Sequence, residues 1–253
     1  MKTIDAKCPG VVTLTTERHN NDYLARRDFV DTYNSMRITL FKDSMKVKEQ
    51  SWNPVLHAGL LFFKELGIKG YKLETEINRT IKTGLNLLED EVLSAASLKA
   101  MNQLCETKLS DEELVALGMK ISPKIASILK NETVVVNQDE EIIKSDPNSR
   151  DCFYNLLLLS DDYKDIDLTN FFINETVNLD ENDKRYQELL FIKRLFKNNN
   201  AKNMSMNGNS NVVISSYQDM HDRFKVFKEL KERQYSVSQL NRGNGITMLK
   251  LYK

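Results

Sequence analysis

A chain of 253 residues with 36 basic and 36 acidic side chains has no net formal charge, and its 41% apolar content is enough for a real core. That balance excludes global disorder. Nine glycines and four prolines are too few for a turn-dense sandwich or barrel and favour helices.

The longest apolar runs, 58–63 and 156–159, are far too short to cross a bilayer. Residues 1–20 mix charged and apolar side chains with no continuous hydrophobic stretch, so no targeting segment and no membrane partner are expected. The cysteines are Cys8, Cys105 and Cys152, an odd number without a CxxC pair. Free thiols in a reducing compartment, cytoplasmic or nuclear, are the expectation.

In chain order, Val11 to Thr15 reads as a β-branched strand. Asp22 to Tyr33 carries Leu24, Phe29, Val30 and Tyr33 at helical spacing, and Met36 to Phe41 alternates like a half-buried strand. Asn53 and Pro54 mark an N-cap and first helical position, and Gly67 a left-handed stop. His57 lies on this apolar helix and reads as a core or boundary histidine. Leu73, Ile77, Ile81 and Leu85 recur every four residues and predict a second helix. A third, over 89–106, opens with Glu89, Asp90 and Glu91 at the positive end of its dipole.

Ser110 and Glu113 form a capping box, with Leu109 and Leu114 as its hydrophobic staple. Ser122 and Pro123 open a short helix, and Val134 to Ile143 reads as a hairpin. From 150 to 197 the pattern is helical between acidic loops, with Tyr186, Leu189, Ile192 and Phe196 on the surest helix. Residues 198–211 are Asn-rich and predict a linker. A strand over 212–215, a helix over 217–234, a strand over 235–240, a turn and a strand over 246–252 complete the chain.

The resulting expectation is an α+β fold, predominantly helical with short strands and hairpins. Its parts are a helical domain over 1–197, a linker over 198–211 and a small basic module over 212–253. Residues 90–144, through Leu114, Leu117, Gly118, Ile121, Ser122, Pro123, Ile125 and Ile128 and the following hairpin, resemble a winged helix. The terminal helix and hairpin resemble the second winged helix of two-domain plasmid and phage replication initiators. That resemblance implies that the first domain makes protein contacts and the second grips DNA.

Charge placement suits such a division. Residues 139–188 hold 14 acidic against 5 basic side chains, and 223–253 hold 8 basic against 2 acidic. The expected nucleic-acid contacts are Lys225, Lys228, Arg242, Lys250 and Lys253. The alternative is a protein-interaction factor that uses Asp161, Asp162 and Asp165 on a basic partner; docking of the acidic middle on the basic tail would be the bland explanation of the same polarity. Tyr217, Met220, Phe224 and Phe227 are expected to form the buried stripe of the terminal helix.

No GxGxxG, GxxxxGK[ST], GxSxG or HExxH occurs, and His19, His57 and His221 stand apart. No catalytic residue, metal or cofactor is therefore expected, and a binding protein ranks above an enzyme. A metal-dependent nuclease or hydrolase assembled from distant residues is the last alternative.

Overall fold

Two strands much longer than any alternation in the sequence open the chain: β1 (Lys2–His19) and β2 (Asp22–Lys42), paired antiparallel almost end to end. The computed structural model describes residues 1–19, 22–46, 50–82, 84–146, 152–163, 166, 171–172, 179–207 and 211–252. The helix expected over Asp22 to Tyr33 is part of β2. Ala25 to Val30 are six consecutive buried residues, because this stretch is covered on both faces. A strand without a solvent face loses its period of two, so spacing alone misreads it.

Helix expectations fail at two other places for related reasons. Leu73 and Ile77 lie on β3 (Tyr71–Asn78), which pairs with β2. A spacing of four is even, so it keeps one face of a strand as well as one side of a helix. Residues 153–158 form β6 (Phe153–Leu158), a strand buried through its centre.

The first sheet runs β10 (Thr247–Tyr252), β1, β2, β4 (Val134–Asn137), β5 (Ile142–Ser145), with β3 also on β2; the second runs β7 (Asn203–Met206), β8 (Val212–Tyr217), β6, β9 (Ser236–Asn241). Strand content is 36% against 34% helix, so the predominantly helical class is overturned. β7 lies inside the stretch expected to be a linker. β9 pairs with β6 and β10 with β1, so the two strands read as a terminal hairpin enter different sheets. The strand read as the edge of a wing, β4, hydrogen-bonds to β2. Both winged-helix segments are therefore parts of one two-sheet assembly.

Helices α1 (Pro54–Glu65), α2 (Glu89–Leu104), α3 (Asp111–Met119) and α4 (Lys124–Leu129) cover one face of the first sheet. Their core joins Phe62, Val92 and Met101 to Ile4, Met36 and Ile38. The other face offers Val12, Leu14 and Val30 to Tyr154, Leu156, Val212 and Ile214 of the second sheet. Helices α5 (Lys184–Asn198) and α6 (Met220–Glu232) close the far side over Leu157, Val213 and Val237. The capping signals hold locally: Asn53 accepts from Leu56 N at 2.9 Å, and Ser110 and Glu113 make both capping-box bonds. Among the described residues no helix is long and apolar enough to cross a membrane.

At the junction of the sheets, Asp28 is fully buried. It accepts from Arg26 Nε at 2.8 Å, Thr133 Oγ1 at 2.8 Å and Tyr154 OH at 3.0 Å, and Arg242 Nη2 donates to Thr133 Oγ1 at 2.9 Å. A buried carboxylate persists only with such partners. Beside it the crossover from β9 to β10 presses against β2, and Gly243 N donates to Phe29 O at 2.8 Å.

A Cβ on Gly243 would lie 2.5 Å from the backbone C and O of Val30. Gly243→Ala should therefore lower unfolding stability by about 1–3 kcal/mol, read as the shift in urea midpoint at unchanged slope.

Burial raises the Cys8 thiol from 9.0 to about 12, and burial is also the main cause that raises Tyr217 from 10.0 to about 12. The fold favours the protonated form of both groups, while the unfolded chain releases these protons first as pH rises. Their contribution is complete below about pH 9 and is lost as pH climbs towards 12. Urea midpoints taken from pH 7 to 11.5 should fall in that window, and less steeply in Cys8→Ala.

Candidate functional site

A cleft of about 720 Å³ between the start of α1, the end of β3 and the first turns of α2 brings Trp52 and His57 together with several polar side chains. Three others are smaller. One, of about 310 Å³, is lined by Glu17, Asp22 and Asp139. A second, of about 390 Å³, contains Arg37, which is already held by Asp5 at 2.7 and 3.0 Å. The third, of about 280 Å³, lies at Lys2, Tyr71 and Cys105.

The wall that carries Trp52 is set by hydrogen bonds to the edge strand β3. Gln50 Nε2 donates to Leu73 O at 2.6 Å, and its Oε1 accepts from Thr75 N at 2.9 Å and Thr75 Oγ1 at 2.8 Å. Asn53 caps α1 and donates to Thr75 Oγ1 at 3.0 Å. Trp52, between these two anchors, is 68% exposed. Its ring leans on His57 with centroids 5.0 Å apart at 39°. An exposed tryptophan held in place beside a second ring is a surface for stacking a flat ligand.

The opposite wall is the N-terminus of α2. Asp90, Glu91 and Ser94 line the cleft there, and Arg79, just past β3, donates to Asp90 Oδ1 at 2.6 Å. The three carboxylates of the first turn, Glu89, Asp90 and Glu91, complement the helix dipole. α2 starts without a side-chain cap: Leu88 stands at its N-cap with φ 52°. Such a conformation costs a leucine about 1–2 kcal/mol, so the surroundings must hold it.

They do so through leucines and two asparagines. Leu85, Leu87 and Leu88 are buried, each worth about 1.5–3 kcal/mol. Asn34 Oδ1 accepts from Thr80 N at 2.8 Å and Ile81 N at 3.1 Å. Asn207, wholly buried, donates from Nδ2 to Leu85 O at 2.6 Å and Asn86 O at 2.9 Å, and its Oδ1 accepts from Thr13 N at 2.9 Å. Asn86 Nδ2 returns a bond to Asn207 O at 2.7 Å, and Val11 N donates to Leu87 O at 2.8 Å.

Of the positions expected to bind nucleic acid, those with described side chains are engaged by neighbouring groups. On α6, Lys225 pairs with Asp222 at 3.5 Å and Lys228 with Glu232 at 3.7 Å. Arg242 turns inward to Thr133. Lys250 is on β10, with its side chain outside the described residues, and Lys253 lies outside them altogether. Asp161 and Asp162 form a short 3-10 turn, and Asp165 lies outside the described residues.

On α6 the buried positions are Arg223, Val226 and Leu230, whereas Met220 and Phe224 are 58% and 52% exposed. The helix is rotated from the expected stripe because Arg223 is drawn in to Leu240 O at 2.9 Å and Asn241 Oδ1 at 2.7 Å. Among the described residues no group of three or more His, Cys, Asp or Glu gathers to hold a metal.

Sequence reasoning passed over Trp52 and Arg79 and assigned His57 to a helix boundary. The available signal was the chain's single tryptophan one residue before an N-cap, with a histidine on the following turn.

No family model and no curated protein matches the sequence. Solved structures do match. Homoserine kinase from Cytophaga hutchinsonii has a TM-score of 0.68 at 13% identity over 98% of this chain and 97% of its own. Mevalonate kinase from Methanococcus jannaschii has a TM-score of 0.63 at 14% identity over 96% of this chain and 98% of its own. Mevalonate diphosphate decarboxylase from Staphylococcus aureus has a TM-score of 0.65 at 12% identity over 99% of both chains. The fold is thus that of the GHMP kinases. It replaces the winged-helix resemblance, and with it the nucleic-acid-binding reading that the resemblance supported.

Asn207→Ala should leave the Thr13 amide and two carbonyls without partners and lower stability by about 3 kcal/mol. Asn207→Asp should cost a similar amount, since a carboxylate cannot donate to Leu85 O and Asn86 O. Urea melts of both variants, with limited proteolysis between 79 and 88, check this.

Proposed function

We propose that this chain is a small-molecule-binding protein built on the scaffold of small-molecule kinases, and that its cleft takes a planar ring of nucleoside type. The observation that carries this reading is Trp52, 68% exposed and leaning on His57 at the mouth of the cleft. A tryptophan left in water forgoes about 2 kcal/mol of burial, and here its backbone is anchored so that the ring stays beside the opening. Ser94 and Ser122 add hydroxyls, and Asp90 and Glu91 add carboxylate acceptors, around the same space for the edge of a heterocycle. Similarity to proteins named as kinases of homoserine and mevalonate agrees with a small-molecule ligand.

Those names favour a second reading, phosphoryl transfer from a nucleotide to a small hydroxyl compound. ADP release from ATP and Mg²⁺ with homoserine or mevalonate, measured against a protein-free control, would establish it.

The first reading has a direct test. Because the chain has one tryptophan, its emission reports on this cleft alone. Titration with adenosine, guanosine, cytidine and uridine should quench or shift Trp52 emission saturably for at least one of them. In His57→Ala that ligand should bind at least fivefold more weakly. Unchanged emission up to millimolar concentrations of all four would refute the nucleoside assignment.

A further inference from the structure

Resting on the reading of the cleft as a ring site, we infer that it selects a ligand without phosphate: a free nucleoside or base, neutral or cationic, in preference to the corresponding nucleotide. The distinction comes from the wall opposite Trp52. A helix N-terminus ordinarily attracts phosphate, through free amides and the positive end of the dipole. At α2 that attraction is already answered by Glu89, Asp90 and Glu91, two of which line the cleft.

Two of the nearby cations already face these same carboxylates, and a third points to the second sheet. Arg79 is held by Asp90 at 2.6 Å, Lys124 lies 4.0 Å from Glu91, and Lys82 reaches Ser236 Oγ of the second sheet at 3.4 Å. A phosphate brought to this wall would meet carboxylates at short range with no spare cation among the described lining residues.

The loop ahead of the helix adds a steric argument independent of charge. A phosphate cradle needs a run of backbone N–H groups that a ligand can approach closely, which small residues permit. Here the residues just ahead of the helix include Leu85, Leu87 and Leu88, whose side chains are packed into the core. Leu87 is wholly buried, and a Cβ on Gly10 would come within 3.0 Å of its side chain. The carbonyls of Leu85, Asn86 and Leu87 are engaged by Asn207 and Val11. Opening the loop would break these bonds and expose three leucines. The ring therefore has a seat while the phosphate has none, and the carboxylates that repel phosphate can accept from ribose hydroxyls or an exocyclic amine.

The experiment follows Trp52 emission while a nucleoside, its monophosphate and its triphosphate are titrated, each with and without Mg²⁺. The expected result is at least tenfold tighter binding of the nucleoside than of either phosphorylated form. In the double variant Glu89→Gln, Glu91→Gln, verified as folded by circular dichroism, the gap should narrow to threefold or less. A nucleotide that binds as tightly as its nucleoside, with or without Mg²⁺, overturns this inference and leaves the ring site standing. Silence from every nucleoside and nucleotide overturns the ring site and this inference with it. A gap that persists unchanged in the double variant overturns the assignment of selectivity to the carboxylates.

Discussion

Asn207 ties together three parts of the molecule that are far apart in sequence. Its side chain accepts from the Thr13 amide of β1 and donates to the Leu85 and Asn86 carbonyls ahead of α2. Its own backbone amide reaches Val212 O, at the start of β8. A buried amide group can be satisfied fully only when all these partners are in place. The spacing of the two sheets, the closed form of the loop and the starting point of α2 are therefore set jointly. The cleft inherits its shape from that arrangement.

The Asp28 network performs a similar task at the other side of the junction. It draws Arg26 of the first sheet, Thr133 just ahead of β4, Tyr154 of the second sheet and, through Thr133, Arg242 of the crossover around one carboxylate. Charged groups at such a centre contribute little to net stability but penalise every arrangement that leaves one of them unpaired. This accounts for Arg242, expected from the sequence to contact nucleic acid, facing inward. It also shows what charge counting overlooks: Lys225, Lys228 and Arg233 pair with Asp222, Glu232 and Glu229, and Arg242 donates to Thr133.

Kinase-like folds are shared by proteins with different chemistry, as the presence of a decarboxylase among the structural matches shows. Fold thus defines where a ligand can sit, and side chains decide what it is. In the proposed reading those side chains are an exposed tryptophan, its histidine neighbour and an acidic helix start.

Short-range chemistry alone dictated much of the secondary structure. The Asn53 cap, the Ser110–Glu113 box, the Gly67 stop (φ 62°) and the apolar stripe of α5 all depend on atoms within a few residues of each other, and each was legible from residue order. Strand partners, and the faces that strands bury, depend on atoms tens to hundreds of residues away. The doubly covered Ala25 to Val30, the ambiguous four-residue spacing of Leu73 and Ile77, and the parting of β9 from β10 into separate sheets therefore came only with the assembled fold. The cleft belongs to this second group. Trp52, Arg79 and Asp90 have no sequence spacing that would associate them, and they meet only because β3 pairs with β2 while α2 packs across a face of the same sheet.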